Sequence, residues 1–272
     1  MWRPTVYTLL QSQAIRGSAG RPLPTVFRAL AAKGTDLLAG QMVLVAAAPG
    51  TGKSLFTLTL ALRSRVPCLY FSADSDAFTQ LARAVSILTG WRHEDAARRV
   101  LSGDLYVVDE QLAEAPIRFV YEASPDLDDI ERAMLAYDEV YGDFPALVVI
   151  DNITNVSTAG SADDPFAGLE SLADYLHGMA RQTGACVVCL HHVTGPYNDA
   201  GKPIPLSGVK GQITRVPEVV LTLHKPVHEF GPDVLGVSTV KNRNGRADPS
   251  GMDFVELEWI GDTMTIRDLR AT

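Results

Sequence analysis

The sequence lacks a membrane-length apolar run, an export signal and a disulfide framework. No stretch approaches the roughly 20 consecutive apolar residues of a membrane span, and Met1 to Pro22 lacks the charged start and unbroken apolar centre of a signal peptide. Three cysteines among 272 residues cannot form a disulfide framework. These absences exclude a membrane-spanning or disulfide-stapled protein, and we expect a cytoplasmic protein with reduced thiols and no membrane partner.

Two of the cysteines have the spacing of a redox pair, in the segment Cys186-Val187-Val188-Cys189. A redox pair opens a helix, whereas these residues lie inside the apolar run Ala185 to Leu190. The pattern therefore favours buried thiols in a strand.

The sequence also lacks an excess of positive charge, since its net charge is -8. That balance argues against a broad nucleic-acid-binding surface. Charge is uneven, however, because the segment from Pro196 to Arg246 contains seven basic and four acidic side chains. That segment is therefore net positive.

Apolar segments with the length of strands alternate with helical patterns along most of the chain. This alternation predicts an α/β fold with a mainly parallel, twisted sheet, helices on both faces and antiparallel hairpins at the C-terminal end. Helices are expected at Lys53 to Arg65, Phe78 to Leu88, Glu94 to Leu101, Pro125 to about Tyr141 and Gly168 to Thr183. Strands are expected at Met42 to Ala46, Pro67 to Ser72, Leu105 to Val108, Arg118 to Glu122, Ala146 to Ile150, Ala185 to Leu190, Val219 to Leu223, Leu235 to Lys241, Phe254 to Trp259 and Met264 to Ile266.

A phosphate-binding loop is predicted where the first strand meets the first long helix. Its residues are Ala47, Ala48, Pro49, Gly50, Thr51, Gly52, Lys53 and Ser54. Gly50 and Gly52 let the backbone wrap the phosphates of ATP with its amides pointing inward, and Lys53 reaches the terminal phosphates. The Ser54 hydroxyl is a candidate ligand of Mg²⁺. Ala47 stands where the general motif has Gly.

Carboxylates follow two of the predicted strands. Asp151 ends an apolar strand at the carboxyl edge of the sheet, where it can hold the Mg²⁺ through water; the alternative is an Asp that caps the next loop. Asp74 and Asp76 follow another strand, and either can polarise the water that attacks the terminal phosphate. Both are also good turn and helix-capping residues.

His191 and His192 follow a further strand at the same edge. Because side chains alternate along a strand, only one of them can face the nucleotide cleft, where a neutral imidazole can sense hydrolysis. A zinc site is the competing interpretation, but no Cys or His cluster with ligand spacing lies nearby.

These residues, in this order, resemble the RecA-like motor of the DnaB family of replicative helicases, from about Pro24 to Ile266. That family commonly has Ala at the first position of the loop, as at Ala47. The resemblance implies that Asp74 activates water, although the family usually has Glu there. It also implies that His192 is the polar sensor, and that Lys241 and Arg243 reach phosphates held by a neighbouring subunit. Asn244-Gly245 equally indicates a plain hairpin turn.

In such motors the loops after Asp151 and His192 face a central channel and hold single-stranded DNA. Here they correspond to Ile153 to Ala167 and Val193 to Ile213. The basic candidates are Lys202, Lys210 and Arg215, whose backbone contacts would be salt-sensitive. Solvated loop charges remain the alternative for the two lysines.

The resemblance implies a domain boundary, an assembly and an activity. Residues 1–23 are expected to be an extension, with Gly17 to Pro24 as a flexible linker, and residues 24–272 the motor domain. This organisation is similar to single-domain ring helicases of the plasmid RepA type. The expected function is an ATP-driven DNA translocase or helicase for replication, acting as a homohexamer with single-stranded DNA and other replication proteins. The alternatives are a RecA-like protein that remodels DNA without unwinding it, a nuclease, and a regulatory ATPase without DNA.

Overall fold

The apolar segments of the chain form one mixed sheet. In this computed structural model, residues 6–157, 165–226 and 233–269 are described. Within them the sheet has nine strands in the order β3-β2-β4-β5-β1-β6-β7-β8-β9. The strands are β1 (Met42–Ala47), β2 (Cys68–Ser72), β3 (Ile117–Val120), β4 (Leu147–Asp151), β5 (Cys186–His191), β6 (Val219–His224), β7 (Val234–Asn242), β8 (Phe254–Ile260) and β9 (Thr265–Asp268).

Strands β1 to β6 are parallel, and β7, β8 and β9 extend the sheet as antiparallel hairpins. The strands β1, β2, β4, β5 and β6 are buried along their whole length, as expected for parallel strands covered on both faces. The helices are α1 (Leu9–Ile15), α2 (Arg28–Ala32), α3 (Lys53–Ser64), α4 (Ala77–Thr89), α5 (His93–Ser102), α6 (Asp109–Glu114), α7 (Leu127–Tyr141) and α8 (Pro165–Thr183). The predicted fold class is confirmed.

Two hydrophobic cores lie on opposite faces of the sheet. One contains buried side chains of α2, α3 and α4 and continues under β9. The other contains α7, α8 and the segment that follows β5. A smaller cluster, around Val85, Ala96 and Val108, packs α5 against α4. Because β1 to β6 are parallel, their carboxyl ends lie at one edge of the sheet, where ligands of such folds bind.

The start of α7 shows how local sequence sets an element boundary. The Asp126 side chain accepts a hydrogen bond from the backbone N–H of Asp129 at 2.7 Å. The Asp129 side chain accepts one from the backbone N–H of Asp126 at 3.0 Å. This reciprocal capping box begins the helix two residues after Pro125.

The predicted strand at Leu105 to Val108 is wrong. These residues form a turn that leads into α6. Tyr106 and Val107 are exposed, whereas Val108 is buried in the small α4–α5 cluster and Leu105 packs against it. Four consecutive apolar residues therefore do not form a strand here, because this part of the chain lies on the surface and not beside the sheet.

Cys186 and Cys189 are buried in β5 and belong to the two different cores. They face opposite sides of the sheet and cannot act as a redox pair. Burial raises the pKa of the Cys186 thiol to about 12. The predicted strand thiols are confirmed.

Before α2, the backbone N–H of Gly20 donates to Ala39 and that of Leu23 donates to Leu37. The predicted linker Gly17 to Pro24 is thus bound to the segment that leads into β1, and the boundary at residue 23 remains a prediction. No helix in the described ranges is long and apolar enough to cross a membrane.

Candidate active site

The predicted phosphate-binding loop joins the carboxyl end of β1 to the first turn of α3. Ala47 and Ala48 are buried, whereas Pro49 and Gly50 are exposed. The Lys53 ammonium donates to the backbone carbonyls of Ala47 at 3.0 Å and Ala48 at 3.2 Å. Burial lowers the pKa of Lys53, and the charges of Asp151 and Asp74 oppose that shift. The lysine is therefore folded back into its own loop, with two carboxylates near it.

Gly52 has a backbone conformation with φ 107°, which side chains rarely adopt. A β-carbon there would also overlap the ring of Trp259, which lies at the end of β8. Lys225 lies over the same ring, with Nζ 4.1 Å from the ring centroid, and donates to the carbonyl of Gly50 at 3.3 Å. The antiparallel extension of the sheet thus contacts the loop directly.

Asp151 ends β4 and is buried, with 2% of its surface exposed. The hydroxyls of Ser54 and Tyr70 both donate to its carboxylate, the latter at 3.0 Å. Burial raises the pKa of Asp151, and these two hydrogen bonds oppose the shift. Ser54 and Asp151 are therefore brought together, as a shared Mg²⁺ site requires.

The loop suits a magnesium nucleotide on two counts. The Thr51 hydroxyl is buried and has no hydrogen-bond partner among the described residues, so it has bonding capacity to spare. The oxygen donors of Ser54 and Asp151 are of the type that Mg²⁺ prefers. Lys53 would be available to phosphate once its ammonium left the loop carbonyls.

The two acidic candidates after β2 differ in their surroundings. Asp76 is the N-cap of α4, since its carboxylate accepts the backbone N–H of Thr79 at 2.8 Å. Asp74 is exposed, and its carboxylate accepts the Asn155 side chain at 2.9 Å. Asp76 thus has a capping function, and Asp74 alone is left facing the nucleotide side.

The two histidines after β5 point in different directions. His191 is fully buried, with its Nε2 2.7 Å from the carbonyl of Lys210. His192 is half-buried, with its Nε2 2.6 Å from the Asn152 side chain. Burial, followed by the charge of Lys53, lowers the pKa of His192. His192 is therefore a neutral imidazole tied to the residue that follows Asp151.

Lys241 and Arg243 lie at the edge of the sheet opposite to the phosphate-binding loop. Lys241 pairs with Val220 near the start of β6, and Val219 pairs with Val43 near the start of β1. The length of β1 separates them from the loop, on the order of 15–20 Å. Within one chain the structure does not bring the basic pair to the site.

The DNA-binding candidates Lys202, Lys210 and Arg215 are all exposed. Lys210 lies beside the two histidines, and its backbone N–H donates to His192 at 3.2 Å. Arg215 lies at the other edge, where its carbonyl accepts Lys241. Of the predicted loop Ile153 to Ala167, residues 158–164 and the side chains of 165–167 lie outside the described part of the chain.

Sequence reasoning missed several side chains of the site: Tyr70, Asn152, Asn155, Lys225 and Trp259. Asn152 and Asn155 had a usable signal, because they lie one and four residues after Asp151. Tyr70 reads as a core residue of a strand, and Trp259 is more than 200 positions from the loop it contacts. Only the three-dimensional fold reveals such contacts.

Comparison with known proteins adds a family to this geometry. The family model of the AAA domain matches residues 24–195. The gene 65 protein of Mycobacterium phage L5 is 65% identical over 265 residues, covering 97% of this chain and 99% of that protein. The gene 65 protein of Mycobacterium phage D29 is 65% identical over 229 residues, covering 84% and 99%.

More distant likenesses concern helicases. A probable plasmid replicative DNA helicase of Chlamydia muridarum (strain MoPn / Nigg) is 25% identical over 248 residues, which cover 85% of this chain and 52% of that protein. The ATPase domain of G40P matches with a TM-score of 0.79 at 18% identity, covering 96% of both chains. A DnaB-like replicative helicase, studied with its interactions with primase, matches with the same TM-score and covers 96% of this chain and 65% of that one.

The fold is that of the RecA-like ATPase domains of DnaB-type helicases, and the predicted resemblance is confirmed. The chain belongs to the AAA domain family and is a relative of the gene 65 proteins of the two mycobacteriophages.

Proposed function

We propose that the chain is an ATP-dependent translocase or helicase for single-stranded DNA, which acts in replication as a ring of identical subunits, six in number. The observation that carries the proposal is the separation of two half-sites. The phosphate-binding loop lies at one edge of the sheet, and Lys241 and Arg243 lie at the other. A ring supplies what one subunit lacks, because each interface then joins both edges.

Within one subunit, the loop from Ala47 to Ser54 binds the phosphates of ATP. Lys53 moves from the carbonyls of Ala47 and Ala48 to the terminal phosphates. Ser54 and Asp151 would hold Mg²⁺, which would supply charge stabilisation to the phosphoryl oxygens. Asp74, held by Asn155, accepts a proton from the attacking water, and the neutral His192 senses the terminal phosphate.

Across the interface, Lys241 and Arg243 stabilise the charge that develops as the phosphate bond breaks. Lys202, Lys210 and Arg215 contact the DNA backbone in the central channel. Their exposure and the positive charge of their segment support this assignment. The helicase name of the Chlamydia muridarum relative supports the same class of activity.

The direct test measures ATP hydrolysis with and without single-stranded DNA at two salt concentrations. Stimulation by DNA that fades as salt rises is expected, because phosphate contacts release counterions. Lys53→Ala, which removes the ammonium that reaches the phosphates, is the matched inactive control. A hydrolysis rate that does not change when DNA is added would contradict a DNA motor and favour a regulatory ATPase.

Unwinding of a forked duplex separates helicase from remodelling protein. A helicase separates the strands only while ATP is hydrolysed. ATP-dependent DNA binding without strand separation would favour the RecA-like remodelling alternative. If a labelled single strand stays intact when it is incubated with the protein and Mg²⁺, the nuclease alternative is excluded.

A further inference from the structure

The buried phenol of Tyr70 lies between the carboxylate of Asp151 and the first turns of α3. Tyr70 is fully buried in β2. Its hydroxyl is 3.0 Å from Oδ2 of Asp151 and 3.2 Å from the hydroxyl of Thr57. In the register of β2 and β4, Tyr70 pairs with Val149 two residues before Asp151, so both side chains lie on the α3 face of the sheet.

The direction of the hydrogen bond follows from chemistry. An ionised carboxylate only accepts, so Tyr70 gives its single proton to Asp151. The Thr57 hydroxyl has a single proton, which it gives either to the Tyr70 oxygen or to the carbonyls of Lys53 and Ser54, at 3.1 Å and 3.2 Å. Tyr70 therefore lies in contact with both α3, the helix that carries the phosphate-binding lysine and serine, and the carboxylate opposite them.

A hydroxyl at this position is not needed for packing. The ring of Tyr70 fills the core beside Phe119, at a centroid distance of 5.2 Å, as a phenylalanine would. Burying a hydroxyl is costly unless it is bonded, and this one is aimed at a buried carboxylate. Only Ser54 and Tyr70 are seen to donate side-chain hydrogen bonds to Asp151 among the described residues. Loss of Tyr70 would leave that carboxylate held by Ser54 alone.

We propose that Tyr70 is a positioning residue, which fixes the orientation of the Asp151 carboxylate towards the Mg²⁺ shared with Ser54. The proposal rests on the proposed function only in taking Asp151 and Ser54 as the magnesium site. Partners that orient a metal ligand typically change metal affinity about 10- to 100-fold when they are removed. Tyr70→Phe should therefore weaken Mg²⁺ binding without changing the phosphate-binding loop.

The test is equilibrium binding of a fluorescent ATP analogue to the full chain while Mg²⁺ is titrated. Tyr70→Phe is expected to bind the metal-free analogue like the wild type, but to need about ten-fold more Mg²⁺ for half of the metal-dependent gain. Tyr137→Phe is the matched control, since it removes a tyrosine hydroxyl from the opposite core. Its half-saturating Mg²⁺ concentration should equal that of the wild type.

A double-mutant cycle separates positioning from a general structural effect. If Tyr70 acts through Asp151, Tyr70→Phe should change nothing further in an Asp151→Asn background. An equal loss in both backgrounds would overturn the proposal. So would a half-saturating Mg²⁺ concentration for Tyr70→Phe within two-fold of the wild type, or equal weakening of metal-free binding. Binding does not require turnover, so a wild type that binds but never hydrolyses ATP would refute the proposed function and leave this test decisive.

Discussion

The Lys241 ammonium donates to the backbone carbonyl of Arg215 at 2.8 Å. It also reaches the carbonyl of Thr214 at 2.7 Å, and the guanidinium of Arg243 donates to Arg215 at 2.8 Å. Arg243 further lies 3.7 Å from Glu218. The two basic side chains proposed to act on a neighbouring subunit thus bind carbonyls of their own chain, directly after the proposed DNA loop Val193 to Ile213.

A trans-acting Arg243 predicts complementation between two inactive variants. Lys53→Ala and Arg243→Ala should each lose ATP hydrolysis, while Arg243→Ala still binds nucleotide. In a mixture, some interfaces join an intact phosphate-binding loop to an intact Arg243, because the two groups come from different subunits. Measured hydrolysis should therefore recover in part when the variants are mixed before assembly.

The ratio of the two variants provides the control. Recovery should be greatest near equal amounts and absent when either variant is mixed with buffer alone. Normal hydrolysis by Arg243→Ala, or no recovery at any ratio, would contradict a role in trans.

The contact between Gly52 and Trp259 predicts a difference between two loop glycines. Gly52→Ala places a methyl group into the Trp259 ring and forces a side chain into a left-handed conformation. Gly50 also has a positive φ, of 71°, but has open space around its α-carbon. Gly50→Ala should therefore have only the conformational cost of about 1–2 kcal/mol.

Nucleotide affinity is the measurement, with thermal unfolding as the check on folding. Gly52→Ala should abolish binding, whereas Gly50→Ala should weaken it less. Equal affinities for the two variants would show that the Trp259 contact does not shape the loop.

Much of this architecture could be predicted from sequence because its signals are local. Strand β1, the loop and the start of α3 are adjacent in sequence, and the capping pair Asp126 and Asp129 marks its own helix. The edge position of Asp151 follows from the end of its strand. Contacts between distant segments had no such signal, which is why Tyr70 and Trp259 were missed. The predicted strand at Leu105 to Val108 was wrong for a related reason, since an apolar segment does not show whether other parts of the chain cover it.

The buried His224, at the end of β6, predicts that the fold is destabilised by acid. His224 packs against Gly236 and meets Phe254 edge-on at a centroid distance of 4.6 Å. Its two ring nitrogens have no hydrogen-bond partner among the described residues. Burial lowers the pKa of His224 to about 4, from an ordinary value of 6.5. Below pH 6.5, His224 therefore binds a proton in the unfolded chain but stays neutral in the folded chain until the pH approaches 4.

The free energy of unfolding therefore has its full value above pH 6.5, as far as His224 is concerned. It falls as the pH drops towards 4, with a slope of up to about 1.4 kcal/mol per pH unit. His224→Phe keeps an aromatic ring against Phe254 and should flatten this part of the profile. The profile is measured as the free energy of unfolding, from urea denaturation at several pH values between 7.5 and 4.5. His191, whose pKa burial also lowers to about 4, would leave a residual slope in the variant. Identical slopes for the variant and the wild type would refute the assignment.

The exposed basic residues after β5 predict a change in the salt dependence of DNA binding. If Lys202 and Lys210 each neutralise one phosphate of a single strand, each alanine substitution should reduce the slope of log affinity against log salt by about 0.7. Affinity should fall similarly for strands of different sequence, because backbone contacts do not read bases. Arg98→Ala on α5 changes an exposed charge paired with Asp95, outside the proposed DNA segment, and is the matched control. If all three variants kept the wild-type slope, Lys202 and Lys210 would be solvated loop charges, and DNA would have to contact another part of the protein.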